Sequence, residues 1–452
     1  MAGLEVVALQ WLRSVSSLCS WDRIEQRRED HKKTEALAQS LKLFSLSDRR
    51  QDLKEDLEMA QTTMRGPMRA EKELRSKVAV FDEAASKFHQ GVGRMRAVSS
   101  SDSALLTAQD LRLIGSSGLK QVSEAISTAK ASHVAPGQTQ ATDREVLIES
   151  KPYTDSTKKE AERDIRDIAT KLSRALAHWN VPHLIGYRLD AAGEAVDLVY
   201  DRPQPGCELI ILAKIYAADT PTPSLNVRIR LCSQLAIAVL QAHRLDLVHK
   251  HIRPDNPLIA PKREGQDAIT DASLYLAGWQ NARIIHGTAT ARLGDSSVHK
   301  SLYQHPDRQL KEGQAKENYN IGHDIYSLGV CMLELLTWEV LFRPGKTLHD
   351  PPTLSHAYVH ALENLDFHAG IEMSEEDDVS KAELYTKDAL NVQETLVSVA
   401  KERVPQSAGD TMANLVRKCL LNTLTSAEVG NDLIEEFDSE IFDEFNKLLA
   451  VL

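Results

Sequence analysis

The stretch Leu247-Val248-His249-Lys250-His251-Ile252-Arg253-Pro254-Asp255-Asn256 carries most of the information in this chain. Upstream of it, Val227–His243 is apolar enough for a buried helix, and downstream Pro257-Leu258-Ile259-Ala260 reads as a short buried strand. Two imidazoles, a lysine, an arginine, an aspartate and an asparagine therefore crowd into a loop clamped between core elements. Rigidly held loops of this kind are where binding and catalytic side chains concentrate. Three more segments follow at loop-like intervals: Leu274-Tyr275-Leu276-Ala277-Gly278-Trp279-Gln280, Tyr303-Gln304-His305-Pro306-Asp307, and Asp324-Ile325-Tyr326-Ser327-Leu328-Gly329-Val330, which opens a second buried helix pattern over Asp324–Trp338.

In their order these four segments resemble the large lobe of protein kinases. The first is similar to the catalytic loop, H-R-D-L-x-x-x-N, and the second lies where the metal-binding D-F-G segment belongs. The third resembles the A-P-E end of the activation segment, and the fourth the start of the long buried helix. The resemblance implies an α+β, two-lobed protein-kinase-like fold preceded by an N-terminal α-helical (bundle or coiled-coil-like) region. It also implies structural roles for His249, Pro306, Asp307 and Asp324, with Pro306 and Asp307 anchoring their segment and Asp324 accepting backbone N–H bonds from the loop.

Phosphoryl transfer needs an Asp to orient the attacking hydroxyl, an Asp and an Asn for Mg²⁺, a Lys–Glu pair for the phosphates, and a glycine-rich loop above them. Here the catalytic Asp position is His251, which cannot supply a negative charge beside a metal. The metal-binding Asp position is Gly278, with no side-chain oxygen, so Asn256 alone remains of a pair that must satisfy a hard cation. No G-x-G-x-x-G precedes the strand pattern that starts at Val146. Lys151, at the end of Val146–Lys151, is a tolerable match to the strand lysine, with Glu160 or Glu162 as its helical partner. The same charges are compatible with a solvated surface. Trp279 reads as a core plug. His356 and His360 have helical metal-ligand spacing but no carboxylate or thiolate completing a motif, so no metal is expected there.

The length of 452 residues allows two or three domains. Residues 1–135 hold 21 Lys+Arg and 18 Asp+Glu, a balance of +3, so with −11 overall the remainder carries −14. That acidity argues against a nucleic-acid partner. Five scattered cysteines without C-x-x-C fit a reducing compartment. No window reaches the ~18 apolar residues that span a bilayer, and Glu5, Gln10 and Arg13 interrupt any leader-like apolar run. A cytoplasmic location is expected. The organisation read from these patterns is a helical region over 1–130, a linker over 131–143, a small lobe over 144–205, and a large lobe over 206–452. The large lobe ends in an acidic helical tail, with eight acidic and no basic residues in Glu428–Glu444.

Taken together, Leu247–Asp255, Tyr303–Gln309, Gly322–Cys331 and Val146–Tyr153 resemble a narrower group. These are the kinase-like domains of fungal proteins that often carry an N-terminal prion-inhibition-and-propagation (HeLo-domain, HET-s) helical domain. That group commonly lacks the catalytic Asp. The resemblance implies a catalytically impaired signalling or scaffold protein with protein partners, linked to heterokaryon incompatibility and cell death. It leaves ATP and Mg²⁺ as weak cofactor expectations. Two alternatives stand beside it: an unconventional kinase using His251 or Asp255, and a membrane-acting effector. The second would work through Leu4–Trp21, whose Leu4, Val7, Ala8, Trp11, Val15 and Leu18 share one helical face.

Overall fold

The computed structural model describes residues 105–421, apart from 108–109, 115–118, 136–139, 177–178, 219–220, 263–268, 286–300, 310–318, 344–352 and 366–388, together with a few positions between 441 and 448. The chain divides between Ser100 and Ser101. The amphipathic Leu4–Trp21 segment and most of the acidic tail lie outside the described residues.

The described chain is a mixed α/β protein. Its strand-rich part is an antiparallel sheet of β1 (Leu111–Ile114), β2 (Lys120–Gln121), β3 (Ile126–His133), β4 (Thr142–Pro152), β5 (Leu184–Asp190) and β6 (Ala195–Asp201). The order is β1-β3-β4-β6-β5, and β2 also pairs with β3 beyond the end of β1. Leu111–Ile114, Lys120–Gln121 and Ile126–His133 are thus strands, a correction to the helical region extending to residue 130. The expected linker over 131–143 likewise contains the end of β3 and the start of β4, paired as His133 with Thr142. Along Ile126–His133 the exposed and half-buried positions, Ser127, Lys130 and Ser132, are interleaved with buried ones, as in a largely covered strand.

Alternation along β4 sorts its side chains onto two faces. Val146 and Ile148 join Ala129, Ala131 and Val199 in a small cluster on one side. Leu147 faces the main core on the other, and Glu149 and Lys151 follow at steps of two. Covering that face is α1 (Lys158–Leu172), which buries Ala161, Ile165, Ile168, Ala169 and Leu172. Those positions repeat at the three- and four-residue steps of one helical stripe.

After β6 the chain becomes mainly helical, with α2 (Leu212–Ala217), α3 (Leu225–Arg244), α4 (Ile321–Thr337), α5 (His356–Asn364) and α6 (Ala389–Leu421, broken at Gly409). Residues 321–336 of α4 are all buried, as expected of a helix packed from every side by α3, α6 and the loops around it. Gly329 permits the approach of α6, because a Cβ there would stand 2.7 Å from that of Cys419. Small strand pairs fill the seam between sheet and helices. β8 (Leu247–Val248) pairs with β11 (Arg283–Ile284), and β9 (Pro257–Ala260) lies between β10 (Ser273–Leu276) and β7 (Ile210–Ile211). No described helix is long and apolar enough to cross a membrane.

The α1–sheet contact predicts a specific cost. Ile165 is fully buried, so Ile165→Ala should lower stability by about 2–5 kcal/mol. Urea denaturation should show a reduced midpoint with an unchanged slope; an unchanged midpoint would contradict the packing.

Candidate functional site

The loop between β8 and β9 is held from below by one carboxylate. Asp324, in the first turn of α4, accepts the backbone N–H of His249 at 2.6 Å and that of Lys250 at 2.9 Å. The Tyr319 hydroxyl donates to it at 2.9 Å, and His243 Nε2 lies 3.3 Å away. Burial pushes the Asp324 carboxyl up, but the bonds from His243 and His249 outweigh it and hold the group below its ordinary value. Lys250 sits at φ +72°, sparsely populated for a side-chain-bearing residue. Two adjacent N–H groups converging on one carboxylate fix the backbone there.

Above this brace, His249 is fully buried and packs edge-to-face on Trp279, ring centroids 4.7 Å apart. Its Nδ1 accepts the His251 N–H at 3.3 Å and its Nε2 lies 3.0 Å from the Ala277 carbonyl. Burial depresses its pKa to about 4, so the ring is neutral and Nε2 is the donor. Trp279 is fully buried and its indole N–H donates to the Leu276 carbonyl at 2.7 Å.

The two positions that the kinase resemblance assigns to metal binding, Asn256 and Gly278, are packed on each other. Gly278 has φ +96°, and a Cβ on it would lie 2.6 Å from Asn256 Cγ and 2.7 Å from Oδ1. The Asn256 amide meanwhile donates to the His251 carbonyl at 2.5 Å. An aspartate at 278 would need both a rare backbone conformation and the space Asn256 fills. His251 joins the group through its main chain, as donor to His249 and acceptor from Asn256.

From the sheet, Glu149 reaches the same turn. Its carboxylate accepts the N–H of Gly278 at 2.8 Å, the N–H of Trp279 at 2.7 Å and the Tyr200 hydroxyl at 3.2 Å. Burial raises its pKa to about 7 against those donors. In the sequence Glu149 is simply one residue of the Val146–Lys151 strand pattern. Its signal was a carboxylate in the apolar run Val146-Leu147-Ile148, on the same side as Leu147.

Lys151 Nζ pairs with Asp164 Oδ2 at 2.9 Å. This corrects the expected Glu162 partner: Asp164 borders the buried Ile165 stripe of α1, whereas Glu162 is two positions away, on a different side of the helix.

The 303–308 segment is anchored mainly by Tyr303. Its hydroxyl donates to Glu334 at 2.8 Å and its carbonyl accepts Ser327 Oγ at 2.6 Å. Pro306 and Arg308 are buried, while Asp307 is exposed, its carboxylate turned back toward His305 at 3.2 Å. The anchoring expected of Asp307 therefore falls to its neighbours. Among the described residues, His305, Asp307 and His323 bring one ligand atom each within 4.8 Å of the others. Nδ1 of His323 already accepts the Asn320 N–H, closing the cap of α4, and Nδ1 of His305 accepts that of Asp307. With Nδ1 taken up in the cap and burial keeping its ring neutral, His323 carries its proton on Nε2 and presents no spare lone pair. The rings of His356 and His360 stack with centroids 6.3 Å apart, and His360 Nδ1 lies 3.3 Å from the Asn364 amide nitrogen.

No family model matches the chain. Serine/threonine-protein kinase PknL of Mycobacterium bovis is 26% identical to it over 201 residues, which is 40% of this chain and 46% of that protein. PknL from two Mycobacterium tuberculosis strains matches with the same figures. The chain thus spans less than half the length of the curated relatives it matches.

Two outcomes test this arrangement. Asp324→Ala leaves the His249 and Lys250 N–H groups without their acceptor and should cost at least about 2 kcal/mol in a denaturation measurement. A loss under ~0.5 kcal/mol would contradict the brace. Glu334 is buried and raised from 4.5 to about 7. Its contribution to stability is therefore fully present below pH 4.5 and lost as pH rises through about 7. His249 and His323, depressed to about 4 and about 3, act in the opposite sense. The informative quantity is the stability of the native chain minus that of Glu334→Gln, which should shrink from pH 4.5 to pH 8; a flat difference would contradict it.

Proposed function

We propose that the described chain is a two-lobed, protein-kinase-like signalling module whose cleft does not transfer phosphate. The observation that carries the reading is the packing of Gly278 against Asn256, with no carboxylate oxygen at position 278. Mg²⁺ between nucleotide phosphates depends on such oxygens. The similarity to serine/threonine-protein kinase PknL supports the kinase-like frame. The neutral His249 ring and the main-chain bonds of His251 and Asn256 support a structural use of the loop. In this reading the module works by binding protein partners, in the manner implied by the resemblance to fungal kinase-like proteins with helical N-terminal domains. The output passes through the residues before Ser101.

The test is a radiolabelled-ATP assay with Mg²⁺ or Mn²⁺ on the full chain, beside a melting curve across millimolar Mg-ATP. We expect no transfer above that of Lys151→Ala and no shift in melting. A ligand at a hundred times its dissociation constant would add about 2.7 kcal/mol, so binding would be visible. Transfer that Lys151→Ala abolishes would overturn the reading.

A further inference from the structure

Glu149 and the Gly278–Trp279 turn are 129 and 130 residues apart in sequence, yet they meet in a fully buried contact. The turn is built to receive an anion. Gly278 is left-handed, at φ +96° and ψ +24°, and Trp279 opens a short 3-10 turn, so successive N–H groups point into one concavity. One Glu149 oxygen takes the first N–H, and the other takes the second together with the Tyr200 hydroxyl. Buried N–H groups left without an acceptor cost about 1–3 kcal/mol each. The carboxylate thus satisfies two donors that belong to a different part of the chain.

We propose that Glu149 is an internal tie: its carboxylate, carried by the sheet, occupies the anion-accepting turn at Gly278–Trp279 and fixes sheet to loop without nucleotide or metal. The word tie in place of nucleotide rests on the kinase-like reading of the cleft; the contact itself does not. Three features make the tie self-sufficient. The two Glu149 oxygens are turned to N–H and O–H donors. The space beside Gly278 is filled by Asn256. Trp279, which follows the turn, is locked by its own indole bond to Leu276 and by His249. The arrangement holds the turn in place with protein groups alone.

Hydrogen exchange on the full chain, free of nucleotide, reads the tie directly. Glu149→Gln offers one acceptor oxygen and an NH₂ group in place of two acceptors, so one of the two backbone N–H groups loses its partner. The 277–280 segment should then exchange about tenfold faster or more, while α4 and the β5–β6 pair keep their protection. Tyr200→Phe removes one donor and leaves both N–H groups accepted, so its exchange at 277–280 should stay within about twofold of the native chain. Exchange at 277–280 unchanged in Glu149→Gln would overturn the proposal. So would a uniform rise through α4, or failure of both Glu149→Gln and Glu149→Asp to fold, since each marks a general core role rather than a local tie. The reading of the cleft as one that does not transfer phosphate fails separately: transfer that Lys151→Ala abolishes sinks it, while the nucleotide-free exchange still decides the tie.

Discussion

The Asp324 carboxylate is the point on which the loop architecture depends. It belongs to a helix buried on every side, and it collects the N–H groups of His249 and Lys250, the Tyr319 hydroxyl and the His243 ring. A buried charge is tolerable only when fully hydrogen-bonded, and here the loop supplies the donors. The exchange works both ways. The helix places the charge, and the charge forces Lys250 into a left-handed conformation that turns His249 inward. From His249 the order passes by ring contact to Trp279 and from Trp279 to the adjacent Gly278.

On the proposed reading, what is built on that brace is a closed polar seam rather than an open site. His249 is neutral, Asn256 is spent on a main-chain carbonyl, and Gly278 offers only its N–H. The charged groups nearby are already matched: Lys151 to Asp164, and Glu149 to backbone and tyrosine donors. Chemistry needs groups with unused capacity aimed at a substrate. The groups named here have been turned toward one another, which suits a module whose work is to hold a shape.

Much of this was legible in the sequence because it rests on short-range pattern. The loop between a buried helix and a buried strand and the apolar face of Lys158–Leu172 follow from spacing and side-chain chemistry, whereas the places of His251 and Gly278 in a catalytic pattern rest on the resemblance. The strands over 111–133 were not legible. Leu111–Ile114 and Lys120–Gln121 are too short to show a period, and the long β3 is Ser-, Thr- and Ala-rich rather than β-branched aliphatic. Nor was the partner of Lys151, since Glu160, Glu162 and Asp164 lie within a turn or so of each other and only the rotation of α1 on the sheet selects among them. Glu149 was hidden for a different reason. Alternation assigns it to the core face, but a partner 129 residues away is a tertiary fact.

The measurement that bears most directly on the account is the electron paramagnetic resonance of Mn²⁺-ATP titrated with the full chain. A cleft whose metal positions are a glycine and a spent asparagine should leave the free Mn²⁺-ATP signal unchanged at protein concentrations up to the solubility limit. A saturable change in that signal, lost in Asn256→Ala, would show a metal–nucleotide complex seated between these residues and contradict the closed seam.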